Sequence, residues 1–306
     1  MNLFLRKNLF KILPYFFPRK KYKKVLNSRI GITTLLCHND VGMFLYCLNS
    51  FFIHLRCGLP VFIVDDGTLT SNDEAMLKDH FMATIIKKKE CDKRMKVLLK
   101  PYKNFYAFRF GKSAQILKYK FDVNVFHPFD KWIYLDADIL FYKKPAEILN
   151  WLNTENKSVL YSIIDDALYS EEELEMDSSV EHCLRRLMKI HTGASIETSF
   201  FSSLLCFPEK KAMNLKVLEE TFELFNKISY FHSWLSEQTA FSFLFSTLKR
   251  GKLPFKRYIN IWLLSQYNRL DLNSAVSIHY AGGIKKDRFI IDAVKLAIKS
   301  KFFRGF

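Results

Sequence analysis

The chain is 306 residues long, 49% hydrophobic and 25% charged, a composition that excludes a disordered or fibrous protein and accommodates one large α/β domain. Its 47 Lys and Arg against 31 Asp and Glu leave a formal charge of +16, which favours phosphate-bearing partners: nucleotides, nucleic acid or an anionic membrane surface. Cys37, Cys47, Cys57, Cys91, Cys183 and Cys206 form no C-x-x-C pair and no zinc-spaced cluster, so reduced thiols are expected rather than structural zinc or a redox motif.

Residues 1–29 read as a basic, aromatic leader. Phe4, Leu5, Phe10, Ile12, Phe16 and Phe17 alternate with Arg6, Lys7 and Lys11, Pro14 and Pro18 break the run, and basic residues 19–24 follow. This is too interrupted for a membrane span or a signal peptide, but it combines insertion with charge and fits the surface of an anionic membrane. Residues 30–37 are apolar and β-branched and predict a strand, 43–55 a helix, and 61–64 a second strand closed by Asp65-Asp66-Gly67. Further along, the pattern predicts a helix over 113–119, a strand over 132–135, a helix started by Pro145 and a strand over 159–164. A Glu-rich helix over 169–190, a strand over 200–207 and helices over 209–227 and 234–249 complete the series. Near-continuous apolar strands alternating with helices belong to a mostly parallel sheet covered on both faces. No repeat or low-complexity linker divides residues 30–286, which read as one catalytic domain. In the tail, residues 287–306, the stripe Ile290, Ile291, Val294, Ala297 and Ile298 carries Arg288, Lys295, Lys299 and Lys301 beside it; it either docks on the same membrane or packs on the domain.

The chemistry concentrates in Lys131-Trp-Ile-Tyr-Leu-Asp136-Ala-Asp138-Ile-Leu-Phe. A hydrophobic strand delivers two carboxylates to its carboxyl end, where open α/β sheets bind ligands. In extended backbone alternate side chains share a side, and a hard divalent cation relieves the repulsion of two such acids while bridging to diphosphate oxygens. This segment resembles the strand that carries the cation site in glycosyltransferases of the GT-A fold. Ser277-Ile-His279-Tyr-Ala-Gly282-Gly-Ile-Lys285 is similar to the late His-x-x-Gly-x-x-Lys motif of glycosyltransferase family 8. The resemblance implies that His279 joins Asp136 and Asp138 on Mn²⁺ or Mg²⁺ and that Lys285 contacts the diphosphate of a UDP-sugar.

Ser236-Glu237-Gln238-Thr239-Ala240-Phe241 resembles the family's Asp-Gln-x-x-Leu-Asn stretch, which implies that Gln238 lies near the anomeric carbon and Glu237 near the sugar hydroxyls, and that transfer retains configuration. Glu stands here for the usual Asp and Phe241 for the usual Leu. Phe201-Ser202-Ser203-Leu204 lacks the Asn and Gly usual in the family on the acceptor side. Asp40 and Asp65, at the ends of the first two strands, occupy the places where this fold binds base and ribose, while Arg109 and Lys112 are basic candidates for donor contact. The implied protein is a divergent family 8 relative acting on a glycolipid or glycan acceptor, as in lipopolysaccharide synthesis, from the cytoplasmic side of a membrane. A haloacid dehalogenase-like phosphohydrolase also uses strand-Asp-x-Asp, but its motif opens the domain, whereas Asp136 follows at least two strand-helix units. A nucleic-acid-binding protein would suit the charge, yet the aromatics lie within apolar runs rather than interleaved with the basic clusters.

Overall fold

The computed structural model describes residues 22, 29–111, 116–164, 196–197 and 199–299. The leader, apart from Tyr22, and the segment read as a helix over 169–190 lie outside the described residues.

Among the described residues, seven strands form the main sheet in the order β3-β2-β1-β4-β7-β6-β8. They are β1 (Ile30–Leu36), β2 (Val61–Asp65), β3 (Ala83–Ile86), β4 (Lys131–Leu135), β6 (Val159–Ile163), β7 (Phe200–Phe207) and β8 (Arg250–Lys252). β3, β2, β1 and β4 are mutually parallel, β7 runs antiparallel to both β4 and β6, and β8 is parallel to β6. Only β7 is therefore reversed, as the mostly parallel reading expected. All five residues of β2 and all eight of β7 are buried, which is why these strands read as unbroken apolar runs.

Helices cover both faces. α1 (Val41–Leu55) packs with β1 in one core that includes Phe44, Phe51, Phe52 and Ile63; the opposite core holds Phe105, Phe108, Phe121, Phe222 and Phe241. That second core is built by α3 (Lys88–Leu98), α4 (Lys103–Phe110), α5 (Tyr119–Phe126), α7 (Leu215–Lys227) and α8 (Ser236–Ser246). Each buried Phe contributes about 1.5–3 kcal/mol of transfer free energy. Two local signals fix helix starts. Thr70 and Asp73 form a reciprocal capping box at α2 (Ser71–His80), and the Asn214 side chain accepts from the Lys216 and Val217 N–H groups. The latter cap starts α7 six residues beyond the expected residue 209, because residues 210–212 form a separate 3₁₀ turn. Of the helix expected over 113–119, residues 113–115 lie outside the described residues, 116–118 form a 3₁₀ turn, and α5 begins at Tyr119.

A second sheet of three short strands, β5 (Ile139–Phe141), β10 (Ser277–Tyr280) and β9 (Tyr258–Ile261), has β10 at its centre. β10 is antiparallel to β5, with His279 opposite Ile139, and parallel to β9. α6 (Ala146–Asn153) follows Pro145 as expected, and α9 (Leu264–Asn268) follows β9. The final helix, α10 (Ile290–Lys299), buries Ile290, Ala293 and Ala297 in the α1 core, leaving Ile298 exposed. Ile290, Ala293 and Ala297 of the tail's apolar stripe thus pack on the domain. No helix of the described residues is long and apolar enough to cross a membrane.

Candidate active site

Asp136 and Asp138 occupy the turn between β4 and β5, where the chain passes from the large sheet into the small one. The sequence reading placed them on extended backbone; it is the turn, closed by antiparallel pairing of β5 with β10, that gathers the acids. The Asp136 N–H donates to the Ser203 carbonyl of β7 at 2.8 Å, and the Tyr280 N–H donates to the Asp138 carbonyl at 3.0 Å. Both ends of the turn are therefore pinned to strands. His279, on β10, brings Nε2 to 3.1 Å from Asp138 Oδ1 and 3.9 Å from Asp136 Oδ2. One ligand atom from each of the three residues lies within 4.8 Å of the others.

Charges around this trio are balanced. Burial works against the Asp138 carboxylate, yet His279 and Lys285 outweigh it and hold the group down at about 2. Lys285 Nζ sits 3.6 Å from Asp138 and 3.9 Å from Asp40; burial disfavours its ammonium, but the two acids carry it above its ordinary range. Asp40 is pushed up by burial, with Lys285 pulling the other way. On the far side, the Tyr134 hydroxyl donates to Asp136 Oδ1 at 2.6 Å, and Lys120 Nζ donates to Asp136 Oδ2 at 3.0 Å. Burial opposes the Lys120 charge, but Asp136 and Glu237 more than restore it.

Lys120 also donates to Ser202 Oγ at 3.3 Å, which donates to Glu237 Oε2 at 3.1 Å. The Ser202 N–H reaches Gln238 Oε1 at 3.4 Å. Glu237 and Gln238, at the start of α8 and both buried, are thereby tied to Asp136 through two side chains. Opposite, His279 Nδ1 meets Asn260 Oδ1 at 3.2 Å, an oxygen that also accepts from Ser203 Oγ at 3.2 Å. With Nδ1 donating to that amide oxygen, Nε2 is the ring nitrogen that faces the two acids and would be the one to ligate a cation.

The fold thus brings Asp40, Asp136, Asp138, Glu237, Gln238, His279 and Lys285 into one connected region. Arg109 and Asp65 are placed otherwise. The Arg109 guanidinium, 3% exposed, is committed to Asp122 and Asp92 within the α4–α5 packing. Asp65 accepts from the Gly67 and Leu69 N–H groups at 2.7 and 3.0 Å and from Lys87 at 3.3 Å. It braces a turn in which Gly67 has φ +103°, a conformation that favours glycine. It also lines a cavity of about 860 Å³ together with Lys87, Lys88, Lys89 and Lys93. Lys112 lies outside the described residues. Sequence reading missed Lys120, Tyr134, Ser202 and Asn260; the available signal was a lysine between two aromatic residues in Tyr119-Lys120-Phe121, an unusual place for a solvated charge.

Among solved structures, the chain is similar to the galactosyltransferase LgtC in complex with donor and acceptor sugar analogs, at 12% identity over 90% of this chain and 97% of that chain, with a TM-score of 0.54. It is similar to mouse xyloside xylosyltransferase 1 at 11% identity over 85% of this chain and 97% of that chain, also with a TM-score of 0.54. The fold is GT-A. No family model and no curated protein matches the sequence. In this GT-A domain the Asp-x-Asp turn sits at the carboxyl end of β4, beside the one reversed strand of the main sheet, where the strand order changes hand and a crevice is expected. The haloacid dehalogenase alternative loses its basis in a GT-A domain.

Proposed function

We propose that the chain is a metal-dependent glycosyltransferase that moves a hexose from a UDP-sugar to a glycolipid or glycan acceptor, with retention as in family 8. The observation that carries this reading is the convergence of the Asp136, Asp138 and His279 ligand atoms within 4.8 Å in a GT-A domain. Two carboxylate oxygens and one imidazole nitrogen fit Mn²⁺ or Mg²⁺ rather than a thiophilic ion. When bound, such a cation offsets the charge that develops on the leaving diphosphate.

The protein's own groups have distinct work. Lys285, beside Asp138 and Asp40, is the ammonium available to a diphosphate oxygen. Lys120 holds Asp136 in place through a charge pair in which the lysine is buried. Gln238 faces the reacting sugar with its amide, and Glu237 orders the hydroxyls around it. Residues 1–24 bind an anionic membrane surface on the inner face, each Lys or Arg near the leaflet adding about 1 kcal/mol.

The test is UDP release from UDP-galactose and UDP-glucose with Mn²⁺, before and after chelation, in the native chain and in Asp138→Asn. Turnover should vanish with chelation, return with Mn²⁺, and stay low in the folded variant. UDP release indifferent to both treatments would sink the metal reading, and release of phosphate alone would restore a phosphohydrolase. Product stereochemistry by NMR checks retention. Sedimentation with anionic liposomes, with and without residues 1–24, checks the membrane arm.

A further inference from the structure

β9 and β10 run parallel with Asn260 opposite His279, so the two side chains stand side by side on one face of the small sheet. Both are buried. The Asn260 amide lies where three other strands meet β9. Its Nδ2 donates to the Ile163 carbonyl of β6 at 3.1 Å, while its Oδ1 accepts from Ser203 Oγ of β7 at 3.2 Å and faces His279 Nδ1 of β10 at 3.2 Å.

These partners leave the amide one orientation. A carbonyl can only accept, so the NH₂ of Asn260 must face Ile163, which turns Oδ1 to the imidazole. That oxygen can only accept as well, so the ring nitrogen meeting it is the one that carries hydrogen. With Nδ1 committed as a donor, a neutral His279 has its one ring lone pair on Nε2, 3.1 Å from Asp138 and 3.9 Å from Asp136. Turning the ring over about Cβ–Cγ would set a carbon against Oδ1 and lose the donor. The Phe201 ring packs edge-to-face with the imidazole, centroids 5.2 Å apart, and bounds it on another side.

Ser203 connects this arrangement to the carboxylates. Its hydroxyl donates to Asn260, and its carbonyl accepts the Asp136 N–H at 2.8 Å. One residue of the reversed strand thus holds the backbone of one candidate ligand and, through Asn260, the ring of another. β6 and β7 belong to the main sheet, β9 and β10 to the small one, so the amide also ties the two sheets together at the site.

We propose that Asn260 is the positioning residue of His279: its amide fixes the ring orientation and tautomer that offer Nε2 to a divalent cation shared with Asp136 and Asp138. It acts through the imidazole rather than on the cation itself. This inference rests on the metal reading of the proposed function and adds to it the residue that makes His279 competent as a ligand.

The test uses the full chain with UDP and Mn²⁺ and reads binding rather than turnover. Calorimetry gives the Mn²⁺ affinity, pulsed EPR of the bound Mn²⁺ reports whether an imidazole nitrogen is coordinated, and thermal melting shows that each variant is folded. Asn260→Leu, near in volume but without an acceptor, should weaken Mn²⁺ binding about 10- to 100-fold, the range for groups that orient a metal-bound histidine, and remove the nitrogen signal. Asn260→Ser, too short to reach the ring, should lose the same signal and replaces the Leu variant should that chain fail to fold. Asn260→Asp keeps an oxygen toward Nδ1 and should restore both readings. A folded Leu or Ser variant with native Mn²⁺ affinity and native nitrogen signal overturns the proposal. The parent reading fails separately, in the native chain and its His279→Ala control. If the native chain shows no imidazole nitrogen on Mn²⁺, or the control binds Mn²⁺ as tightly, His279 is no ligand and Asn260 has nothing to position.

Discussion

Replacing Arg109 with Met separates a buried structural role from a donor contact. The guanidinium donates through Nε to Asp122 Oδ1 at 2.9 Å and through Nη2 to Asp122 Oδ2 at 2.5 Å and Asp92 Oδ1 at 2.6 Å. It also lies 3.8 Å over the Tyr119 ring. Asp122 has no exposed surface; burial, joined by the nearby Asp92 charge, pushes its carboxyl up to about 6 against the pull of Arg109. Met fills most of the vacated volume but leaves the buried Asp122 carboxyl without its partner, and breaking one side of a buried pair costs about 3–5 kcal/mol. For 306 residues, at about 2 cal/mol/K of unfolding entropy per residue, that corresponds to a Tm lower by about 5–8 °C. Arg109→Met/Asp122→Leu removes the stranded charge with its partner and should recover most of the loss. Calorimetry reads the stability and UDP titration the donor site, whose affinity should not change. A Met variant of native Tm that binds UDP tenfold more weakly would refute the reasoning and return Arg109 to the donor.

Chelation should abolish UDP release, and Asp138→Asn should lower turnover about 10²- to 10³-fold even with excess Mn²⁺, as a coupled UDP assay would read. His127 is buried against Trp132, and its Nδ1 accepts from the Phe129 N–H at 3.1 Å, which leaves the ring neutral; burial lowers it to about 4. Its folded value is depressed below the ordinary 6.5, so its contribution is complete above pH 6.5 and is lost as pH falls toward 4, about 3 kcal/mol in all. Urea midpoints at pH 7 and pH 4.5 should converge more in His127→Gln than in the native chain. Asn214→Ala should cost about 1 kcal/mol through the lost α7 cap, measured as a small drop in Tm with UDP release unchanged.

The strands and the candidate metal trio were legible because each is written locally. β1, β2, β4 and β7 are apolar runs with turn residues at their ends, and Asp136, Asp138 and His279 stand in motifs of a few residues. The polar residues that support the trio are not written that way. Tyr119-Lys120-Phe121-Asp122-Val123-Asn124-Val125-Phe126 alternates polar and apolar like a half-buried strand, yet it forms a helix with Tyr119 to Asn124 all buried. Tertiary packing overrode the period, and with it went the chance to see Lys120 against Asp136 or Asp122 against Arg109. The small sheet was hidden for another reason. Its strands are three and four residues long, too short for alternation to register, and two of its three strands lie far along the chain from β5. Arg109 and Asp65 show the converse difficulty: a charged residue near a strand end or helix end looks available until its neighbours are known.

β10 enters between β5 and β9, and the Tyr280 beside His279 is bonded on one side to the Tyr142 hydroxyl, 138 positions away in sequence, and on the other to Asp292 of α10 at 2.9 Å. In folding, the carboxylates arrive with β4, whereas their imidazole waits for closure of a very long loop, a slow contact by its sequence separation. An unfinished chain, with the large sheet formed and β10 undocked, would present two like charges with no strand to hold the turn between them. Capacity to take up a cation is then a signal of completed assembly. A metal-binding titration during refolding would lag behind formation of the parallel sheet and keep time with docking of α10.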